Sequence, residues 1–113
     1  MKRKITELSS FEKRIEELKS KRKVASDDFE AFKKRLAENP DIGDLIPGSG
    51  GVRKTRLKGV SRGKSAGFRV IYLDDEFKNE LFLIVIYPKN EKEDLTPDEK
   101  KYLKELAKEL RAR

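Results

Sequence analysis

The chain has 113 residues, no cysteine and no histidine, 28 Lys plus Arg against 21 Asp plus Glu, and a formal charge of +7. Disulfides, thiolate chemistry, Cys/His zinc sites and imidazole acid–base catalysis are thereby excluded. The length suits one domain over residues 1–113 with a single core, and the excess of cations favours a polyanionic partner such as nucleic acid.

Charged residues make up 43% of the chain, yet the apolar residues fall in periodic blocks, so the chain is expected to fold. The basic start, Met1-Lys-Arg-Lys, leads into no apolar run, and the run from Leu81 to Tyr87 is too short to span a bilayer. A cytoplasmic protein without membrane contact is expected.

Lys2 to Leu8 reads as a short edge strand. Ser9 and Glu12 have the spacing of a capping box, and Phe11, Ile15 and Leu18 share one helical face, which predicts a first helix ending near Lys21. Lys19 to Lys23 (KSKRK) is a basic turn whose charges suit a helix C-terminus. A second helix is predicted from Asp27, again with an acid three residues on at Glu30; Phe29, Phe32 and Leu36 form its stripe, and it stops before Asn39-Pro40. The two helices, antiparallel, would cover one face of a sheet.

Asp41 to Gly51 is a Gly- and Pro-rich connector, with Ile42, Leu45 and Ile46 expected to tuck beneath it. Three strands follow, Val52 to Lys58, Phe68 to Asp74 and Leu81 to Tyr87, the last two joined as an antiparallel hairpin through Asp74-Asp75-Glu76. The unbroken apolar run from Leu81 to Ile86 is that of a strand buried on both faces, and so central. Thr96-Pro97-Asp98-Glu99 combines an N-cap, a proline at the first helical position and a capping box. It opens a last helix to about Leu110 that either docks on the sheet or swings off to a partner. The expected fold class is α+β, a small antiparallel sheet of a short N-terminal strand and three core strands, with two leading helices and one closing helix.

The cations are unevenly placed. Val52 to Arg69 contains Arg53, Lys54, Arg56, Lys58, Arg62, Lys64 and Arg69 and no acid, whereas both terminal regions mix the two signs. Residues two apart on a strand share a face, so Lys54, Arg56 and Lys58 project together, Arg69 projects from the next strand, and Tyr87 and Lys89 share a face near Lys92. The stretch GSGGVRKT falls short of a phosphate-binding loop, because Arg53 stands where a second glycine is required and a strand follows in place of a helix. The carboxylates sit mostly on helix surfaces beside Lys or Arg, which argues against a two-metal nuclease, and neither metal nor cofactor is expected. From the residues alone, a cationic site and a cluster that merely pairs with acids and packs are about equally supported.

Three blocks, GSGGVRKTRL, RGKSAGFRVIY and LFLIVIYPKNEKEDLTPDEK, taken with the NPDIGDLIPG connector and the two leading helices, resemble the HigB-type branch of the RelE/ParE superfamily, toxins of type II toxin–antitoxin modules. The resemblance covers nearly the whole chain; Ala66 departs from it, standing where the family more often has glycine. It implies a compact α+β fold and metal-independent cleavage of mRNA on the ribosome by attack of a ribose 2′-oxygen on the adjacent phosphate, and as partners a cognate antitoxin and the ribosome with bound mRNA. Carried onto this chain, Lys54 and Arg56 orient the phosphate, with Lys54 preferred as base because Arg does not readily give up its proton. Arg69 holds the transition-state phosphate, Lys89 or Lys92 protonates the leaving oxygen, and Tyr87 stacks on a base or orients the ribose. Arg53, Lys58, Arg62 and Lys64 are then RNA-binding residues that grip backbone phosphates. Two alternatives are a ParE-like gyrase poison and a non-catalytic nucleic-acid-binding module on the same scaffold.

Overall fold

The computed structural model describes residues 2–61, 66–92 and 94–113. In chain order the elements are β1 (Lys4–Glu7), α1 (Ser9–Ser20), α2 (Ser26–Glu38), β2 (Asp44–Leu45), β3 (Arg53–Leu57), β4 (Phe68–Asp75), β5 (Glu80–Pro88) and α3 (Pro97–Ala112). One five-stranded sheet has the order β1-β5-β4-β3-β2. The α+β class stands, with two differences in the sheet. β1 is an edge strand as expected but runs parallel to β5, so the sheet is mixed, and β2, which no strand signal marks, adds a fifth strand against β3.

The sheet is buried on both sides. Phe11, Ile15 and Leu18 of α1 and Phe29, Phe32 and Leu36 of α2 pack on Leu57, Val70, Tyr72, Leu81, Leu83 and Ile86. The opposite face carries Ile71, Leu73, Phe82, Ile84 and Tyr87 under Leu103, Ala107 and Leu110 of α3. The last helix therefore docks on the sheet, its apolar stripe already covered. Among the described residues no helix is long and apolar enough to cross a membrane.

Alternation explains the two-sided burial in β4, where Phe68, Val70 and Tyr72 face α1 and α2 while Ile71 and Leu73 face α3. β5 breaks its alternation. Ile71 pairs with Val85 and Tyr72 with Leu83, so Ile84 is one residue too many, a β-bulge. Before it, the even-numbered Phe82 and Ile84 face α3; after it, the odd-numbered Tyr87 does. The extra residue turns Tyr87 onto the α3 face. β5 is also not the middle strand, a place that falls to β4.

The two predicted caps at Ser9 and Asp27 do not form. Leu8 is extended and donates its N–H to Leu83 O, so β1 pairing holds the chain until the residue before Ser9, which then falls inside the helix. In the same way buried Val24 ends the basic turn and Ala25 becomes the N-cap of α2. Of the three apolar connector residues expected to tuck in, only Ile46 is buried, while Ile42 and Leu45 are 48% and 57% exposed along the β2 edge. The connector is held by Tyr72, whose hydroxyl accepts from Gly43 N–H at 2.9 Å and donates to Pro40 O at 2.8 Å. The capping box at Thr96 forms as expected: its side chain accepts from Glu99 N–H, and Glu99 accepts from Thr96 N–H.

Candidate active site

The far ends of β3, β4 and β5 place three side chains in one row. Arg56 is the Cα partner of Arg69, and Arg69 is the Cα partner of Tyr87. Val52 faces α3 and Leu57 faces the other helices, so by alternation Arg56 and Lys54 lie on the α3 face with Arg69. Tyr87 joins them because of the bulge. Directly opposed residues on neighbouring strands hold their Cβ atoms about 4.5–5.5 Å apart, and like charges so placed repel. Neither Arg56 nor Arg69 forms an ion pair among the described residues. Lys89 leaves β5 beside them, its N–H donating to Gly67 O at 3.0 Å, and borders with Arg56, Lys58 and Arg35 a groove of about 1020 Å³ around the end of β3.

A family model for the RelE toxin of the RelE / RelB toxin–antitoxin system matches residues 12–113. The chain belongs to the RelE toxin family. A double arginine-to-alanine mutant of E. coli toxin RelE, solved in the free state, is similar in fold, with a TM-score of 0.50 and 21% identity over 76% of this chain and 82% of that one.

On this RelE-family scaffold the electrostatics separate the two candidate proton donors. Partial burial, then the charges of Arg56 and Arg69, push the Lys89 amine below the ordinary lysine value. Lys92 moves the other way: its Nζ donates to Glu99 Oε2 at 2.5 Å, which raises its pKa and lowers that of Glu99. Lys92 also lies 5.5 Å from the centre of the Tyr87 ring, and that ring is only 7% exposed. Burial pushes the Tyr87 hydroxyl up, partly opposed by Lys92 and Arg69, so it stays protonated near neutrality. Tyr87 is thus a floor residue of the site, with one cation drawn over it.

Other expected residues take different places. Lys54 lies one row along from Arg56, as partner of Ile71, with its Nζ 3.9 Å from an Asp94 carboxylate oxygen. Arg53, expected among the phosphate-gripping cations, turns to the connector instead and donates to Gly43 O at 2.6 Å and Asp41 O at 3.2 Å. Lys58 lines the groove just beyond β3. Arg62 and Lys64 lie outside the described residues. The family scaffold also brings in Arg35 of α2 and the acids Glu99 and Asp94, none of which the sequence singled out as site residues. Glu99 alone had a legible signal, its place in the capping box.

Proposed function

We propose that this toxin, of the HigB-type branch, is an endoribonuclease that cleaves mRNA on the ribosome. The observation that carries the reading is the directly opposed pair Arg56 and Arg69, without an ion-pair partner among the described residues, with Lys89 beside it. Two guanidiniums on directly paired positions suit the two charged non-bridging oxygens of a phosphorane, and Arg matches phosphate geometry bidentately. In the reaction Lys54, in its neutral amine form and released from Asp94, takes the proton of the ribose 2′-hydroxyl, and the 2′-oxygen attacks phosphorus. The bond from phosphorus to the 5′-oxygen breaks, leaving a 2′,3′-cyclic phosphate, and the leaving oxygen takes its proton from Lys89. Lys89 is favoured over Lys92 because a lysine with lowered pKa is the stronger acid, while the Lys92 proton is held by Glu99. Lys58 and Arg35 at the groove guide the neighbouring backbone. The apolar stripe of α3 is already covered, so the antitoxin is best placed to act by laying an acidic segment across the groove.

The test is inducible expression of the parent chain and Arg69→Ala in a bacterial host, with mapping of mRNA 5′ ends. Growth arrest with cuts inside translated codons is expected for the parent, and removal of one transition-state donor is expected to lower cleavage ~10²–10³-fold. Arrest without cuts points to a gyrase-type target. An Arg69→Ala chain that folds and cuts like the parent refutes the site.

A further inference from the structure

Lys89 is an amine set beside a ready-made oxyanion holder. β3 and β4 pairing sets the backbones of Arg69 and its partner Arg56 opposite one another, and the Lys89 backbone is tied to the same corner by its N–H bond to Gly67 O. Arg56, Lys58 and Lys89 line a groove there together with Asp28, and Arg69 stands next to Arg56 on the sheet, outside that lining. An acyl phosphate has the complementary parts: a dianionic phosphate for two guanidiniums, and an electrophilic carbonyl bonded to one of its oxygens. We infer that Lys89 is a site of N-acylation by acyl phosphates, with Arg56 and Arg69 holding the phosphate while the lysine amine takes the acyl group.

The step needs no other reactant. The neutral Nζ attacks the carbonyl carbon, the bond from that carbon to the phosphate oxygen breaks, inorganic phosphate departs with the electron pair, and the nitrogen loses a proton to water. Negative charge grows on the departing phosphate, where the guanidiniums already sit. The lowered pKa of Lys89 adds to this, because it raises the free-amine fraction near neutral pH. The product amide carries neither charge nor a transferable proton. On the reading above, acylation therefore removes the proton donor and switches the toxin off, but the acylation chemistry itself does not depend on RNA cleavage.

The experiment treats the purified full chain with acetyl phosphate at pH 8 and follows each lysine by peptide mass spectrometry, with the exposed Lys13 and Lys34 as internal references. Lys89 is expected to react at least ~10-fold faster than either reference, since charge guidance and free-amine fraction act together. Added inorganic phosphate is expected to erase most of that preference without any substitution, and Arg56→Gln to reduce it while leaving the reference rates unchanged. N-acetylimidazole, which carries no phosphate, is expected to show a smaller preference. Equal rates at Lys89 and Lys13 overturn the proposal, as does a preference that survives added phosphate or is as large with N-acetylimidazole. A chain that shows the preference but cuts no RNA upholds this inference and refutes the nuclease reading alone.

Discussion

Tyr72→Phe is the sharpest test of how the connector is held under the site strands. The Tyr72 ring is fully buried, and its hydroxyl satisfies two backbone groups, Gly43 N–H at 2.9 Å and Pro40 O at 2.8 Å. Phenylalanine keeps the ring packing and removes both bonds. Gly43 is itself buried, so its N–H is left without water or partner, a loss worth about 1–3 kcal/mol. The carbonyl of Pro40 is less demanding, and a total near 2 kcal/mol is expected, or a fall in Tm of roughly 8 °C for a chain of this size. Urea titration followed by circular dichroism measures the loss, with an unchanged m-value expected because the surface exposed on unfolding is the same. Amide exchange at Gly43 should quicken at the same time. A loss under about 0.5 kcal/mol, or protection of the Gly43 amide as in the parent, refutes the reasoning.

Gly43→Ala should be at least as harmful, because a Cβ there meets Lys54 O at 2.7 Å and the Tyr72 ring at 2.8 Å, neither of which can give way easily; thermal unfolding should show a drop of about 2 kcal/mol or more. Thr96→Ala removes one arm of the capping box and should cost about 1 kcal/mol by denaturant titration. Lys89 should titrate in a ¹³C NMR experiment below the ordinary lysine value, and Arg56→Gln should move its midpoint up, since removing a neighbouring cation favours the charged amine. On the proposal that Lys89 is the acid, cleavage should fall as pH rises through that midpoint, and a midpoint unmoved by Arg56→Gln contradicts the crowding of the site.

The sequence made the three core strands and α3 legible because each carries its signal locally: β-branched and aromatic residues in the strands, Thr96 and Pro97 at the helix start. What it concealed depends on contacts distant in the chain. Asp44-Leu45 has no strand character and becomes β2 through pairing with Arg53 and Lys54. An all-apolar run such as Leu81 to Ile86 has no phase to read, so the extra residue at Ile84 was invisible, and with it the face to which Tyr87 turns. The starts of α1 and α2 followed β1 pairing and buried Val24, which overrode plausible local caps. In the site, Lys54 and Arg56 were legible as one face because β3 alternates without interruption, whereas the strand register that sets Arg69 opposite Arg56 was not. Choosing between Lys89 and Lys92 was not possible, since the difference lies in the second oxygen of Glu99, which reaches Lys92 only once α3 is in place.

Charge is handled differently at this corner than elsewhere on the sheet. Arg3 meets Asp74, Lys33 meets Glu7 and Lys92 meets Glu99, so these three cations are neutralised within the fold. Arg56 and Arg69 face one another with no such acid among the described residues, an arrangement that costs roughly 0.2–1 kcal/mol and that packing alone would not favour. The apolar stripe of α3 covers Ile71, Leu73, Phe82 and Ile84, and the buried Tyr87 ring floors the end of the row while Arg56 stays exposed. Three strands with paired backbones hold the cation-bearing positions in register. An anion entering there gains the attraction of both guanidiniums and meets a site already arranged, which is what a charge-stabilising catalytic centre requires.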